Sequence, residues 1–223
     1  MHKTAAFQRL FAAMMLVMLA VVPALADHDD EEAIMGIKGG YNFPGMMLSS
    51  YEERPDLSIY HVAAYGGYDF GIFAVTGTFW HYFVNVEDGV WRLDGQSPID
   101  QAYIDAGGNG AIAITADIFF DIEVAKDKVF FNPGIGIGPM FAYGQFEQYD
   151  YQSSVTNVPE QDLTEDQVTI DPDSKSDPLP SVLPHVHIDL DWKFLLGDNW
   201  FATVNMGLQT TGLGIGAGAG YHF

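Results

Sequence analysis

Two stretches of this 223-residue chain concentrate ionisable and metal-ligating groups at strand-like spacing. In VLPHVHIDLDWKFL, residues 182–195, the side chains of His185, His187, Asp189, Asp191 and Lys193 occupy every second position. Val186, Ile188, Leu190, Trp192 and Phe194 fill the positions between and after them. Residues 112–123 repeat the pattern: Asp117, Asp121 and Glu123 alternate with Ile112, Ile114, Ile118, Phe120 and Ile122. Residues two apart on a strand share a face, so each stretch has one polar face and one apolar face. With Asp69 and Lys38 from other segments, the polar faces bring six acids against two lysines. Confined together, such groups form a structural ion-pair network; where like charges outnumber their partners, they hold a proton or a cation. His185 and His187 stand roughly 7 Å apart along the strand, close enough to share an ion. A third ligand would have to be His61, and a histidine pair hydrogen-bonded to the carboxylates is the simpler expectation, so no metal and no other cofactor is expected. Serine catalysis lacks its geometry: Ser58 and His61 fall on opposite strand faces, and Ser181 sits in a loop before His185.

The elements that position these groups follow from the same two-residue rhythm. It is plainest in the last twelve residues, GLGIGAGAGYHF, where Leu213, Ile215, Ala217, Ala219, Tyr221 and Phe223 line one face and glycines the other. Eight strands result, over about 34–43, 57–68, 72–86, 112–123, 129–146, 182–195, 200–209 and 212–223. Short links at 69–71, 125–128 and 197–199 alternate with long ones at 44–56, 87–110 and 147–181; the short link at 210–212 is the exception. A helical reading would place glycines inside helices at roughly 1 kcal/mol each. A soluble parallel sheet would need crossover helices that are absent from the pattern, and no further run of 18 apolar residues offers a helical span. The fold class is therefore all-β: an eight-stranded antiparallel up-and-down transmembrane β-barrel with both termini on the periplasmic side.

Facing follows from register. His61, Tyr65 and Asp69 point inward; Thr76, Thr78, Trp80 and Tyr82 point inward with Phe73, Val75, Phe79 and Phe83 outside. The glycines of the last strand with Gly36 and Gly40 form one bare wall, and Gly134, Gly136, Gly138 and Gly144 another. Eight strands leave an interior just filled by side chains. The space between the bare walls is either taken by Tyr65, Trp80, Tyr82, Phe119, Met140 and Phe201, or is a slender pocket for a small apolar ligand.

Composition bounds the setting. Residues 1–26 read as a cleaved signal peptide: Lys3 and Arg9, an apolar run from Leu10 to Val22, and Ala24-Leu25-Ala26 as cleavage site. Residues 27–33 are an acidic N-terminal segment and 34–223 the barrel domain. A net charge of −21 repels phosphate backbones, so nucleic acid is no partner. No cysteine is present, which excludes disulfides and thiol chemistry. The loop 147–181 carries nine carboxylates against one lysine; it is expected to be solvated, with divalent-ion bridging to lipopolysaccharide as a second role.

Ile37-Lys38-Gly39-Gly40-Tyr41-Asn42-Phe43 near the mature start, the alternating hairpins and the closing Tyr221-His222-Phe223 resemble the small eight-stranded outer-membrane β-barrel proteins of the OmpW-, OmpX- and opacity-protein-like group. Gly218, Tyr221 and Phe223 match the group's C-terminal insertion signal, with Gly216 standing where a polar residue is usual. The resemblance implies residence in the outer membrane of a Gram-negative cell, contact with its lipid and lipopolysaccharide, and recognition of the last strand by the barrel assembly machinery. It implies a non-enzymatic envelope protein, either structural or admitting a small, hydrophobic solute through a narrow lumen. The alternative is surface binding or adhesion through acidic extracellular loops. A lipid A-modifying barrel enzyme is a further alternative, although the His-x-Ser arrangement of the deacylases is absent.

Overall fold

Alternating apolar and polar residues can satisfy both faces of a sheet only if hydrocarbon lies on one side and polar atoms on the other. The structure, a computed structural model, resolves this by closure. It describes residues 32–44, 51–53, 57–86, 88–93, 102–153, 167–175 and 182–223; the signal peptide and most of the acidic segment lie outside the described residues.

Eight long strands form the staves: β1 (Glu32–Phe43), β3 (Leu57–Asp69), β4 (Phe73–Val86), β6 (Ala102–Phe120), β8 (Val129–Tyr149), β11 (Val182–Leu195), β12 (Trp200–Gln209) and β13 (Gly212–His222). Each pairs antiparallel with its chain neighbour. The last closes on the first, from Ile34 opposite His222 to Phe43 opposite Leu213. Short strands are also present among the described residues: β2 (Tyr51–Glu53), β5 (Gly89–Leu93), β7 (Ile122–Ala125), β9 (Tyr151–Ser153) and β10 (Val168–Ile170). Among the described residues closure leaves the eight staves no free edge, so the wall's backbone is paired in antiparallel ladders all round, as a hydrocarbon environment demands.

The outward face is what water would not tolerate. Ile37, Ile137 and Trp200 expose 58%, 63% and 59% of their surface, and the aliphatic band continues through Val62, Ile114, Ile188, Val204 and Ile215. Aromatic rings bound it at both ends. Trp192, Phe194, Trp200, Tyr221 and Phe223 stand near the chain termini, and Phe43, Tyr60, Phe83, Phe141 and Tyr143 at the opposite rim. An aliphatic band between two aromatic girdles is the surface of a membrane-spanning barrel. Contiguous apolar exposure on this scale is foreign to a soluble monomer.

The rim opposite the termini departs from the expected simple loops. A barrel strand crosses hydrocarbon in about 9–11 residues, yet β6 has 19 and β8 has 21. Their extra lengths pair beyond the wall, from Tyr103 opposite Tyr149 to Gly107 opposite Gln145. β5 joins β6 there, and β2 joins β5. Val90 and Tyr103 are buried in a small cluster with Tyr151, Val168 and Ile170 of the β9–β10 pair. Much of 87–110 and the flanks of 147–181 are thus strand. The cluster Gly107-Gly108-Asn109-Gly110 reads as a loop but builds a bulge: Gly108 and Gly144 take φ of +60° and +113°, which only glycine adopts without strain. Gly144 consequently belongs to this bend and not to a bare lumen wall.

At the near rim, β1 begins at Glu32, two residues earlier than expected, and β3 runs to Asp69. Ile72 lies in the turn before β4.

Candidate functional site in the barrel lumen

Inward residues of the eight staves build three tiers. Nearest the termini, Lys193 of β11 donates to Asp69 Oδ2 of β3 at 3.2 Å and pairs with Asp121 after β6. Asn132 of β8 donates from Nδ2 to Asp121 Oδ1. One level up, Lys38 Nζ of β1 lies 2.9 Å from Asp189 Oδ2 of β11, both almost wholly shielded from solvent. Its ammonium also sits 4.5 Å from the Trp80 ring centroid, a cation–π contact. Asp117 of β6 accepts hydrogen bonds from Thr76, at 3.3 Å, and from Thr78 of β4. His187 Nε2 lies 3.4 Å from Asp117 Oδ1 and 3.7 Å from Asp189 Oδ2.

The middle tier is a collar of neutral polar and aromatic groups. His61 Nδ1 meets Asn42 Oδ1 at 2.8 Å, and Asn42 Nδ2 donates to Gln209 Oε1 at 3.0 Å and to Thr211. Tyr82 Oη donates to the same Gln209 oxygen at 3.0 Å and meets His185 Nε2 at 3.1 Å. With the tyrosine proton given to Gln209, His185 is the donor in that pair. Trp80 donates from Nε1 to Thr115 at 3.1 Å and stacks on Tyr82.

The outermost tier is apolar. Ile59, Ala63, Ala111, Ala113 and Met140 pack with Trp80 and Tyr82, and Leu57, Val84 and Leu183 close over them.

The glycine walls seat these side chains. A methyl group on Gly36 would overlap the Tyr65 hydroxyl, one on Gly134 the Phe119 ring, and one on Gly220 the Phe201 ring. Asp189 lies over Gly207, and Asp117 and His187 over Gly136. Bare positions on one stave therefore receive bulky positions on the next, which is how eight strands reach close packing inside a narrow wall. A cavity of about 50 Å³ lies in the lower half, walled by Lys38, Asp191 and Lys193 together with the apolar Ile34, Phe119 and Phe201.

The structure brings Lys38, Asp117, Asp121, Asp189, Asp191 and Lys193 into the lower lumen, as their alternation implies. Glu123 is a correction: the stave breaks at Asp121, all of β7 is exposed, and Glu123 Oε1 accepts from the Asp127 amide at 2.7 Å in the turn. The pairing register runs unbroken from Phe119 to Glu123, so the period-two count gave the right parity, but it does not show that the packed lumen ends before Glu123. Nor do the three histidines form a metal site. His61 is held by Asn42, His185 by Tyr82, and His187 faces two carboxylates; among the described residues no three metal-ligating side chains converge. Ser58 shares the outward parity of Tyr60, opposite Asn85, and so cannot meet His61; Ser181 lies outside the described residues. Gly218 lies inward between Lys38 and Thr203, whereas Tyr221 and Phe223 form an edge-to-face pair on the outer girdle, centroids 4.9 Å apart. The lumen amides Asn42 and Asn132 escaped the sequence reading, although each shares parity with an inward residue of its own strand, Gly40 and Gly134.

No protein-family model matches the chain, and no curated protein matches it in sequence. Solved barrels are similar in form. Neisserial surface protein A aligns over 87% of this chain and 98% of its own at 8% identity and a TM-score of 0.47. The attachment invasion locus protein Ail of Yersinia pestis aligns over 88% and 100% at 14% identity and a TM-score of 0.42. The N-terminal β-barrel domain of Pseudomonas aeruginosa OprF aligns over 87% and 98% at 12% identity and a TM-score of 0.37. At such identities the likeness is one of barrel form, and it transfers no ligand and no role to this chain.

Proposed function

We propose that this chain is an integral outer-membrane protein of a Gram-negative envelope that works at the cell surface and as a structural part of the wall, without conducting solute and without catalysis. The observation that carries the reading is the filled lumen. Trp80 and Tyr82 expose none of their surface and Met140 only 4%, which supports a lumen filled, among the described residues, by the apolar tier above the polar ones. A cavity of about 50 Å³ is far below the several hundred Å³ of a small-molecule pocket. A lumen so filled favours the structural reading over passage of a hydrophobic solute, the other expectation from sequence.

The extension on β5, β6, β8, β9 and β10 supports the surface role. It carries Asp88, Asp105, Glu147, Asp150, Asp171 and Asp173, with Lys175 bound to Glu147 at 2.5 Å. Such a rim attracts cationic groups and divalent ions over about a Debye length, roughly 8 Å at physiological salt. Export by the N-terminal signal and insertion through the C-terminal strand belong to the same reading.

Planar bilayers containing the purified full-length protein test it. A silent bilayer is expected, together with adsorption of the protein's vesicles to cationic surfaces that weakens with salt. Steady single-channel conductance of the unaltered protein would overturn the reading.

A further inference from the structure

We propose that Asp191 is a proton site in the lower lumen: it keeps a proton at neutral pH, gives it as a hydrogen bond to Asn132, and so makes the closure of the barrel near the termini sensitive to pH. The site stands on the lumen alone and is independent of the surface role.

A surplus of acceptors marks the place. Asp191 of β11 lies directly across from Asn132 of β8 on one side and from Asn205 of β12 on the other. All three are buried, at 8%, 6% and 3% exposure. Among the described residues the Oδ1 atom of each is buried without a hydrogen-bond partner. Cross-strand neighbours on one face hold their Cβ atoms about 4.5–5.5 Å apart, so these side chains meet. Unmet acceptors in a row are costly, because each has given up its water. The Asn132 amide does not supply the missing donor, since its Nδ2 is given to Asp121. A proton on Asp191 turns the middle acceptor into a donor and satisfies two of the three oxygens at once.

The surrounding charges favour that proton. Lys38 of β1 attracts Asp191, but its direct bond goes to Asp189 at 2.9 Å, and Asp117 of β6 draws on it as well. Lys193 of β11 is bound to Asp69 of β3 and to Asp121. His187 faces Asp117 and Asp189. Tyr65 of β3 and His222 of β13 line the same cavity as Asp191, while β4 and β12 bring uncharged threonines to it. Two ammoniums are thus shared among five carboxylates. Asp191 is the carboxylate of this set that, among the described residues, stands in no ion pair. The cavity beside it, walled in part by Ile34, Phe119 and Phe201, is a poor solvent for a bare charge. A proton held in the folded barrel links folding to pH, because an aspartate of the unfolded chain titrates at about 3.9. Its contribution is present below that unfolded value and lost as pH rises through the folded one. Alkaline conditions then leave an unpaired carboxylate in the row that ties β8, β11 and β12 together.

Infrared spectroscopy of the full-length protein in lipid vesicles tests the site through the carbonyl stretch of a protonated carboxyl, which a carboxylate lacks. At neutral pH the wild-type barrel is expected to show this band and to lose it as the buffer turns alkaline. Asp191→Asn carries an amide donor permanently, so it is expected to fold and to lack one carboxyl's share of the band. No band in the wild-type protein at neutral pH overturns the proposal, and so does a band undiminished in the folded variant. Chemical unfolding in the same vesicles gives a second reading. From about pH 6 to about pH 9 the wild-type ratio of folded to unfolded chains should fall, by at most about tenfold per pH unit, and Asp191→Asn should lack that fall. Should the variant not assemble, the wild-type protein decides alone: a midpoint that does not move over this range overturns the site. A silent planar bilayer bears on neither result, so the surface reading and the proton site stand or fall separately.

Discussion

The two ends of the lumen are closed by opposite physics. At the outer end Ile59, Ala111, Ala113 and Met140 pack with Leu57, Val84 and Leu183, and no charge is present among them. At the end near the termini the space is spanned by Lys38 with Asp189 and Lys193 with Asp69 and Asp121. Apolar closure depends on volume: any side chain of similar size and shape serves. Ionic closure depends on partners: removing one leaves a buried charge whose desolvation nothing offsets. Plugging a barrel thus needs no single chemistry. The ends differ in how they fail.

The largest effect sharpens that contrast. Lys38→Met removes the lysine paired with Asp189, a fully buried carboxylate, and should cost about 3–5 kcal/mol. Chemical unfolding in lipid vesicles measures it, and a Lys38→Met/Asp189→Leu double variant should recover most of the loss. If the double variant is as weak as the single one, the lower tier is not held by pairing. The matching change above is Met140→Ala, in a residue 4% exposed. A loss of about 2–4 kcal/mol is expected from transfer and cavity costs, with no dependence on salt, read by the same unfolding titration at two ionic strengths.

Gly220→Ala probes the seats between staves. The added methyl meets the Phe201 ring, an aromatic with little room to turn beside His222. Overpacking of this kind costs about 1–3 kcal/mol, and pairing it with Phe201→Leu should return part of it. The smallest effect lies outside the wall. Lys175 and Tyr149 hold the Glu147 carboxyl below the ordinary glutamate range, and Glu147 in turn raises Lys175. A lowered carboxyl contributes order that is present above its unfolded value and lost as pH falls through the lowered one. A raised lysine contributes order present below its unfolded value and lost as pH rises through the raised one. The contact therefore spans neutral pH and loosens only at the acidic and alkaline extremes. Hydrogen exchange at the Asp171 amide, which bonds to Asp150 O beside this pair, should quicken there while the global unfolding midpoint hardly moves.

Particular residues show where the amino-acid order sufficed. His185, His187, Asp189, Asp191 and Lys193 had to face one way, because successive side chains on a strand cannot do otherwise. Their outward counterparts had to meet hydrocarbon, so closure into a barrel followed from the absence of any helix to cover them. The same rule placed Glu123 in the lumen, since parity tells which face a residue takes but not where along the strand the packed interior ends; Glu123 keeps its register with Phe130 yet stands exposed at the rim. It also read Gly107 to Gly110 as loop, because glycines that bend a paired strand look like glycines that end one.

The sequence by itself thus determined the class, the strand number and which face each side chain takes, all consequences of a local two-residue geometry. Tertiary structure alone decided who meets whom. Lys38 and Asp189 are 151 residues apart and join only because closure sets β1 and β11 at one height in the same lumen. The glycines of β13 became seats rather than an open wall because Phe201 and Thr203 of β12 lean across them. Stagger between staves fixes those heights, and stagger is set by the whole ring of hydrogen bonds at once; no window of residues contains it.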